Sequence, residues 1–391
     1  MQSVHVRLGR GRVQEYEVLI EAGGLRARLG QCARRALAEE HPRRAAIISN
    51  PKVFGLYGAP AAQSLGDAGF SVTHFLVGDG ERHKTLRTLE SVLNFLSASG
   101  LERNDAVVAL GGGVVCDVAG FAASVYLRGI AHIQAPTTLL AQVDAAVGGK
   151  TAVNTSRGKN LVGTFHQPRA VLIDTETLQT LSKRELTAGW CESVKQGAAG
   201  SRKLFDQTRR FLQAEGGAKK LVSSAMLERL ISAQVAFKAS IVRRDEREEL
   251  GRADRGSRRI LNFGHTTAHA LEAVTNYRRF RHGEAVGYGM LVAGEISKRL
   301  GLLDVSELES LRRAVRLCGR LPRAGDLDPT EIIGALAHDK KSMGGHVKWV
   351  LLERLGHALV VDGREIAPRT LRASLNAVLR SDSAYEARMK D

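Results

Sequence analysis

Through the first half of the chain, short apolar runs alternate with amphipathic stretches. Ala45–Ser49, Val72–Val77, Ala106–Leu110, Ile133–Pro136 and Ala170–Asp174 are brief and rich in Ala, Val, Ile and Leu. That pattern predicts buried strands. Thr85–Ser97 repeats Leu and Val at helical spacing, and DVAGFAASVYL from Asp117 reads as a helix too. Strands alternating with helices predict a largely parallel sheet, which takes ligands at the carboxyl ends of its strands.

After about Leu181 the texture changes. Glu185–Gly200, Ala218–Val242, His265–Val274, Glu284–Leu300 and Ser306–Cys318 carry helical patterns. Val347–Leu352 and Ala358–Val361, joined by ERLGH, predict a late hairpin. The charged, glycine-punctuated stretch Glu246–Ser257 predicts a loop, and Ser381–Asp391 a frayed end. The expected organisation is an α/β domain over residues 1–182, Rossmann-like, followed by a mostly α-helical domain over 183–391.

A chain of 391 residues is long for one core, which agrees with two domains. The N-terminus has no apolar signal region and no stretch is long enough to span a bilayer. Cys32, Cys116, Cys191 and Cys318 lie far apart, with no CxxC pair. These features predict a cytoplasmic protein with reduced thiols and no membrane partner. The net charge of +16 is spread from end to end without an aromatic-interleaved basic block. It argues for attraction of an anionic small molecule rather than for nucleic acid.

Gly111-Gly112-Gly113 sits between a strand pattern and a helix pattern. Glycines there let backbone amides approach a pyrophosphate, although a tight turn alone also wants glycine. GGKT (Gly148–Thr151) resembles the end of a phosphate loop, but Asp144 stands where the first glycine belongs. Lys150 and the pair Lys159-Asn160 could reach anions, or lie on solvent-facing turns. His265 and His269 are four apart and share a helix face; with His282 and a carboxylate they would suit zinc or a similar ion. A histidine pair of this kind also serves packing.

Taken together, SNPKVFGLYG, GDGERHKTL, GGGVVCDVAGF, YLRG, PTTLLAQVDAAVGGKTAVN, GKNLVGTFHQP, WCESVKQG, LNFGHTTAHALE, HGEAVGYGM and DKKSMGG run in family order over most of the chain. They resemble the 3-dehydroquinate synthase family. The resemblance implies an N-terminal NAD-binding domain, a C-terminal helical metal domain, zinc or cobalt, and a homodimer. It implies conversion of 3-deoxy-arabino-heptulosonate 7-phosphate into 3-dehydroquinate and phosphate. The family oxidises one hydroxyl with bound NAD, eliminates phosphate, returns the hydride and closes the ring by an aldol step.

Carried over by position, the resemblance makes Glu192, His265 and His282 the metal ligands. It makes Arg128, Lys150, Asn160, Lys195, Lys238, Arg258, Asn262, His269 and Lys341 substrate contacts. Lys150, Lys195, His269, Asn262, Asp144 and Glu248 are the expected catalytic set. NAD contacts fall on Asn50, Asp79, Gly80, Glu81, Lys84, Gly113, Val114, Val115, Cys116, Asp117, Thr137 and Thr138. They continue with Lys150, Lys159, Thr177, Leu178, Gln179 and Thr180. Cys116 and Ala268 replace family glycines, Trp190-Cys191 replaces smaller residues, and the linker from Glu248 to Arg258 is longer than usual. Other readings are a sibling sugar-phosphate cyclase, a metal-dependent alcohol dehydrogenase, and a basic nucleic-acid-binding protein, which only the charge favours.

Overall fold

The computed structural model describes all residues except 9–13, 39–40, 42, 216–223, 250–251, 253, 255, 343–346 and 381–391. The side chains of 8, 14 and 337–342 also lie outside the described residues. In chain order the elements begin with β1 (Gln2–Leu8), β2 (Gln14–Ile20), α1 (Gly24–Ala27), α2 (Leu29–Ala36), β3 (Arg44–Ser49), α3 (Pro51–Asp67) and β4 (Ser71–Leu76). Next come α4 (Leu86–Ala98), β5 (Ala106–Gly111), α5 (Gly113–Val125), β6 (Ala131–Pro136), β7 (Lys150–Thr155), β8 (Gly158–Phe165) and β9 (Ala170–Ile173). The helices α6 (Lys183–Gly200), α7 (Arg202–Glu215), α8 (Ala225–Arg244), α9 (His265–Val274), α10 (His282–Arg299), α11 (Val305–Cys318) and α12 (Pro329–Ser342) follow. The hairpin β10 (Lys348–Arg354) and β11 (His357–Asp362), then α13 (Pro368–Leu379), complete the order.

The chain divides into two compact units, Met1–Leu181 with Leu221–Arg247, and Ser182–Lys220 with Glu248–Asp391. The break after Leu181 falls where the texture of the sequence changes. The second half is nevertheless not contiguous, because α8 belongs to the first unit. It packs along β1 and β2, and Glu228 accepts hydrogen bonds there from the Met1 amino group and the Ala22 N–H.

Unit 1 is built on a seven-stranded sheet in the order β1-β2-β9-β6-β5-β3-β4, parallel except for the β1–β2 pair. The run AVVALG of β5 is buried throughout because both faces of the sheet are covered. Ala106, Val108 and Leu110 pack toward Leu25, Leu29 and Leu65; Val107 and Ala109 pack toward Leu89, Val92 and Ala119. The chain leaves β3 first toward β4 at the edge and later returns to place β5 on the other side of β3. That reversal opens a crevice at the carboxyl ends of β3 and β5.

The GGKT segment departs from the phosphate-loop comparison. Gly148 and Gly149 have φ of 95° and 65°, and Lys150 then begins a strand rather than a helix. β7 and β8 form an antiparallel hairpin, so the two glycine-lysine segments are ladder and turn positions.

In unit 2, α10 is almost wholly buried, with α6, α9, α11, α13 and β10 around it. Its small residues let neighbouring backbones touch. A Cβ on Gly283 would lie 2.0 Å from the Ala188 carbonyl oxygen in α6, and one on Gly289 1.9 Å from that of Gly264, just before α9. The buried Glu284 is held by Arg184, with Nε to Oε1 at 2.8 Å and Nη2 to Oε2 at 2.5 Å. Glu295 accepts from Arg312 and pairs with Lys298 and Arg299.

Candidate active site

Around the crevice of unit 1, local chemistry sets the backbone. Asn50, directly after β3, caps α3 by accepting from the Val53 N–H at 2.9 Å; its Nδ2 points to Asp79 Oδ1 at 3.5 Å. Gly112 caps α5 and offers no side chain to the N–H groups of the first turn, which Gly113, Val114 and Val115 supply. A Cβ on Gly112 would meet Thr138 Cγ2 at 3.0 Å, a tight approach that the threonine side chain would have to relieve. Thr137 is buried and its N–H donates to Gly111, while Thr138 Oγ1 accepts from Ala141. A helix N-terminus with uncapped amides at the carboxyl end of a parallel sheet fits a dinucleotide pyrophosphate.

Several residues far apart in sequence form one polar cluster beside it. Lys84 is buried, pairs with Asp117 in α5, and donates to Asn160 Oδ1. Burial works against its charge, but Asp117 and Glu81 outweigh that and the ammonium pKa is raised. Glu81 Oε1 accepts from Asn154 at 2.8 Å and lies 3.9 Å from Lys159 Nζ. Gly80, with φ of 90°, leads into the turn that carries Glu81. Thr177, Leu178, Gln179 and Thr180 lie in a 3-10 turn capped by Asp174, and Tyr57 Oη meets Thr180 Oγ1 at 2.7 Å.

Val115, Cys116 and Leu178 are buried in the core, which confines any ligand contact of theirs to the backbone. The Cys116 thiol lies 3.8 Å from the Gly111 carbonyl, inside the strand-helix turn, so it does not crowd the amide cradle. Lys238, on α8, pairs with the Asp144 carboxylate and donates to the Asp144 carbonyl. Arg128 and Lys150 are exposed; Arg128 has a left-handed φ of 68°.

Unit 2 brings a second set together. Glu192 and Lys195, one turn apart on α6, are both 1% exposed, with Lys195 Nζ 2.6 Å from Glu192 Oε2. Glu192 Oε1 has no hydrogen-bond donor and lies 3.6 Å from His282 Nε2. The His265 and His282 ring centroids are 5.1 Å apart. Ligand atoms of Glu192, His265 and His282 all fall within 4.8 Å of one another. Two imidazoles and a buried carboxylate with an oxygen lacking a donor fit a divalent cation, and three protein ligands leave coordination positions open. The backbone contacts at Gly283 and Gly289 are what allow three helices to converge on this point.

His269 is exposed, with its ring 5.6 Å from that of His265 and 6.0 Å from that of His282. Arg258 is 2% exposed in the 3-10 turn Arg258–Asn262, which packs on α6 and the late hairpin. Asn262 Nδ2 donates to Glu248 Oε1 at 2.8 Å, and Glu248 takes a left-handed φ of 53° to provide it. The side chain of Lys341 lies outside the described residues.

The model of 3-dehydroquinate synthase, N-terminal, matches residues 74–188, and that of 3-dehydroquinate synthase, C-terminal, matches 189–342. The chain belongs to the 3-dehydroquinate synthase family. It is 45% identical to the 3-dehydroquinate synthase of Pelotomaculum thermopropionicum over 82% of this chain and 84% of that protein. It is 41% identical to that of Pelobacter propionicus over 93% and 96%. Among solved structures, a 2-deoxy-scyllo-inosose synthase complexed with carbaglucose-6-phosphate, NAD+ and Co2+ aligns with a TM-score of 0.82 at 26% identity, covering 97% of this chain and 100% of that one. The 2-epi-5-epi-valiolone synthase of Streptomyces hygroscopicus subsp. jinggangensis, with NAD+ and Zn2+, aligns at 0.81 and 27% over 95% and 99%. A glycerol dehydrogenase from Schizosaccharomyces pombe, at 16% identity and a TM-score of 0.66 over 95% of this chain and 91% of that one, shares the fold.

Two residues, one in each unit, hold groups of these local sets and escaped the sequence reading. Asn154, which holds Glu81 and receives the Asn160 N–H, stands in the quoted TAVN segment without a sign of its role. Glu272, at the end of GHTTAHALE, lies 3.4 Å from His282 Nδ1. Its spacing of seven from His265 puts both on one helical face, and that was the available signal.

Proposed function

We propose that this chain is a 3-dehydroquinate synthase, converting 3-deoxy-arabino-heptulosonate 7-phosphate into 3-dehydroquinate and phosphate with NAD and a divalent metal, zinc or cobalt. The observation that carries the reading is the family match over both halves, joined to the Glu192–His265–His282 constellation. Bound, NAD would supply a hydride acceptor that later returns the hydride, and the metal would polarise the hydroxyl being oxidised.

The chain's own residues do the rest. The first-turn amides of α5 would hold the pyrophosphate, with Asn50, Asp79 and the Lys84–Asp117 pair beside it. Glu192, His265 and His282 would hold the metal. The substrate carries a phosphate and a carboxylate, which calls for several cations. By family position those cations are Arg128, Lys150, Lys195, Lys238, Arg258 and Lys341, with Asn160 beside them. Asn262 is fixed by Glu248, so its Nδ2 is engaged and its Oδ1 accepts from a substrate hydroxyl. His269, exposed beside the metal ligands, would pass a proton to or from the substrate. The departing phosphate can itself act as base, which leaves Lys195 and Asp144 to balance charge.

Among the described residues no helix is long and apolar enough to cross a membrane. We place the enzyme in the cytoplasm as a homodimer, acting on a small sugar phosphate and on no nucleic acid; light scattering on the purified protein tests the dimer. The sibling-cyclase reading draws on the structural likeness to the inosose and valiolone synthases. The higher identity of 38–45% to 3-dehydroquinate synthases favours the first reading. The deciding assay is phosphate release from the heptulosonate phosphate, with the product identified by mass and NMR. Stoichiometric dehydroquinate without net NADH supports the proposal, and its loss in Glu192→Gln supports the metal set. No turnover by a folded protein holding NAD and metal overturns it and moves the search to other sugar phosphates.

A further inference from the structure

The His282 ring stands between two buried carboxylates. Its Nε2 faces Glu192 Oε1 at 3.6 Å and its Nδ1 faces Glu272 Oε2 at 3.4 Å. Glu272 is 2% exposed on α9, three residues after His269 and seven after His265. A neutral imidazole has one N–H and one lone pair, so only one of its nitrogens can serve a cation. A carboxylate at Nδ1 fixes the proton there and leaves the lone pair on Nε2, toward Glu192. His265 follows the same plan by other means, because its Nδ1 lies 3.4 Å from the Phe263 carbonyl oxygen. Both histidines then present Nε2 to one place. We propose that Glu272 is a positioning residue for the metal site: it sets the tautomer and ring orientation of His282.

The inference rests on the proposed ligand set of Glu192, His265 and His282. A competing arrangement exists, because His269, Glu272 and His282 also bring ligand atoms within 4.8 Å of one another. In that arrangement Glu272 would itself bind the ion through the Nδ1 side of His282. The burial pattern favours the outer role. Glu192 is buried with an oxygen that lacks a hydrogen-bond donor, whereas His269 is exposed at the rim. The buried Glu272 carboxylate faces His282 Nδ1 at 3.4 Å, a contact that the outer role keeps as a hydrogen bond accepted from Nδ1–H. One helix thus delivers a metal ligand, His265, and the group that orients another ligand from α10.

The test is metal binding by the full-length protein, stripped with a chelator and titrated with Zn(II) against a chromophoric competitor. Co(II) absorption reports the ligand set in parallel. Outer carboxylates of this kind are worth about 10–100-fold in affinity. Glu272→Ala should weaken Zn(II) binding by about that factor while the Co(II) spectrum keeps its coordination number. Glu272→Gln keeps the volume and an acceptor oxygen but loses the charge. It should keep the thermal midpoint of the metal-free protein and lose about tenfold in affinity. His269→Ala should leave the affinity unchanged, and Glu192→Gln should abolish it. Wild-type affinity in both Glu272 variants, with Glu192→Gln still defective, overturns this inference alone. Abolition in Glu272→Ala and His269→Ala, with Glu192→Gln intact, overturns the inference and the ligand set beneath it.

Discussion

Gly283→Ala is the substitution that most directly tests how the metal site is assembled. The added Cβ would sit 2.0 Å from the Ala188 oxygen, 2.6 Å from its carbonyl carbon and 2.7 Å from its Cα. All three are backbone atoms of α6, so no side chain can swing away. Restoring an ordinary 3.4 Å contact moves α10 and α6 apart by about 1.4 Å locally. Overpacking of this kind costs about 1–3 kcal/mol, which lowers the thermal midpoint by roughly 2–12 °C in a unit of this size. The preceding residue is His282, so the shift also opens the 3.6 Å approach to Glu192. Metal affinity should fall at least about tenfold, because displacements near 1 Å are costly at a preorganised site. Scanning calorimetry and chelator-competition titration measure the two effects. Gly334→Ala, exposed in α12 with nothing within 4 Å of the added atom, is the control. It should be neutral or stabilise by up to about 1 kcal/mol. If Gly283→Ala matched wild type in both assays, or if the control lost as much, the close-approach argument would be wrong.

Three further outcomes follow from unit 1. His132 is fully buried with no partner on either ring nitrogen and stacks 4.9 Å from His166; burial, then His166, depress its pKa well below 6.5. The unfolded chain takes up this proton first, so stability is intact above about pH 6.5 and falls below it, by at most about 1.4 kcal/mol per pH unit. Urea unfolding at pH 7.5 and 5.5 should show that loss in wild type and a flatter response in His132→Phe. Cys116→Ala should change NAD affinity by less than about twofold in fluorescence titration, since the thiol faces the Gly111 carbonyl; a tenfold change would place it in the cofactor pocket. Lys84→Met should cost about 3 kcal/mol at neutral pH by stranding Asp117, and should weaken NAD binding. The Lys84 pKa is raised on folding, so its contribution is complete below 10.5 and is lost as the pH rises through the higher folded value; a wild-type deficit already at pH 7 would contradict this.

The strands with continuous apolar runs and the helices with a clear stripe were legible in the chain. His265–Val274 and the segments around Ala106 and Ala131 lie within a residue or two of their expected places. Other elements lacked a local signal. α3 contains Pro60 and several small residues, and its apolar face is weak; β1 and β2 carry charged residues between their apolar ones. The β7–β8 hairpin was hidden by glycines and lysines that suggested turns or phosphate contacts. Of the site, each motif was visible, while Asn154 and Glu272 were not, because their roles depend on partners in other segments.

By itself the sequence determined the alternation of strand and helix, the glycine-capped start of α5, and the inventory of histidines, carboxylates and cations. Those follow from periodicity and from the conformational demands of single residues, which act over a few positions. Tertiary structure decided the rest. It assigned α8 to the sheet-bearing unit, joined Lys84 to Asp117 and Asn160, and turned Cys116 into the core. It also drew ligand atoms of Glu192, His265 and His282 within 4.8 Å of one another and set Glu272 behind them. That convergence requires helix backbones in contact at Gly283 and Gly289, a property of packing between elements that no local pattern encodes.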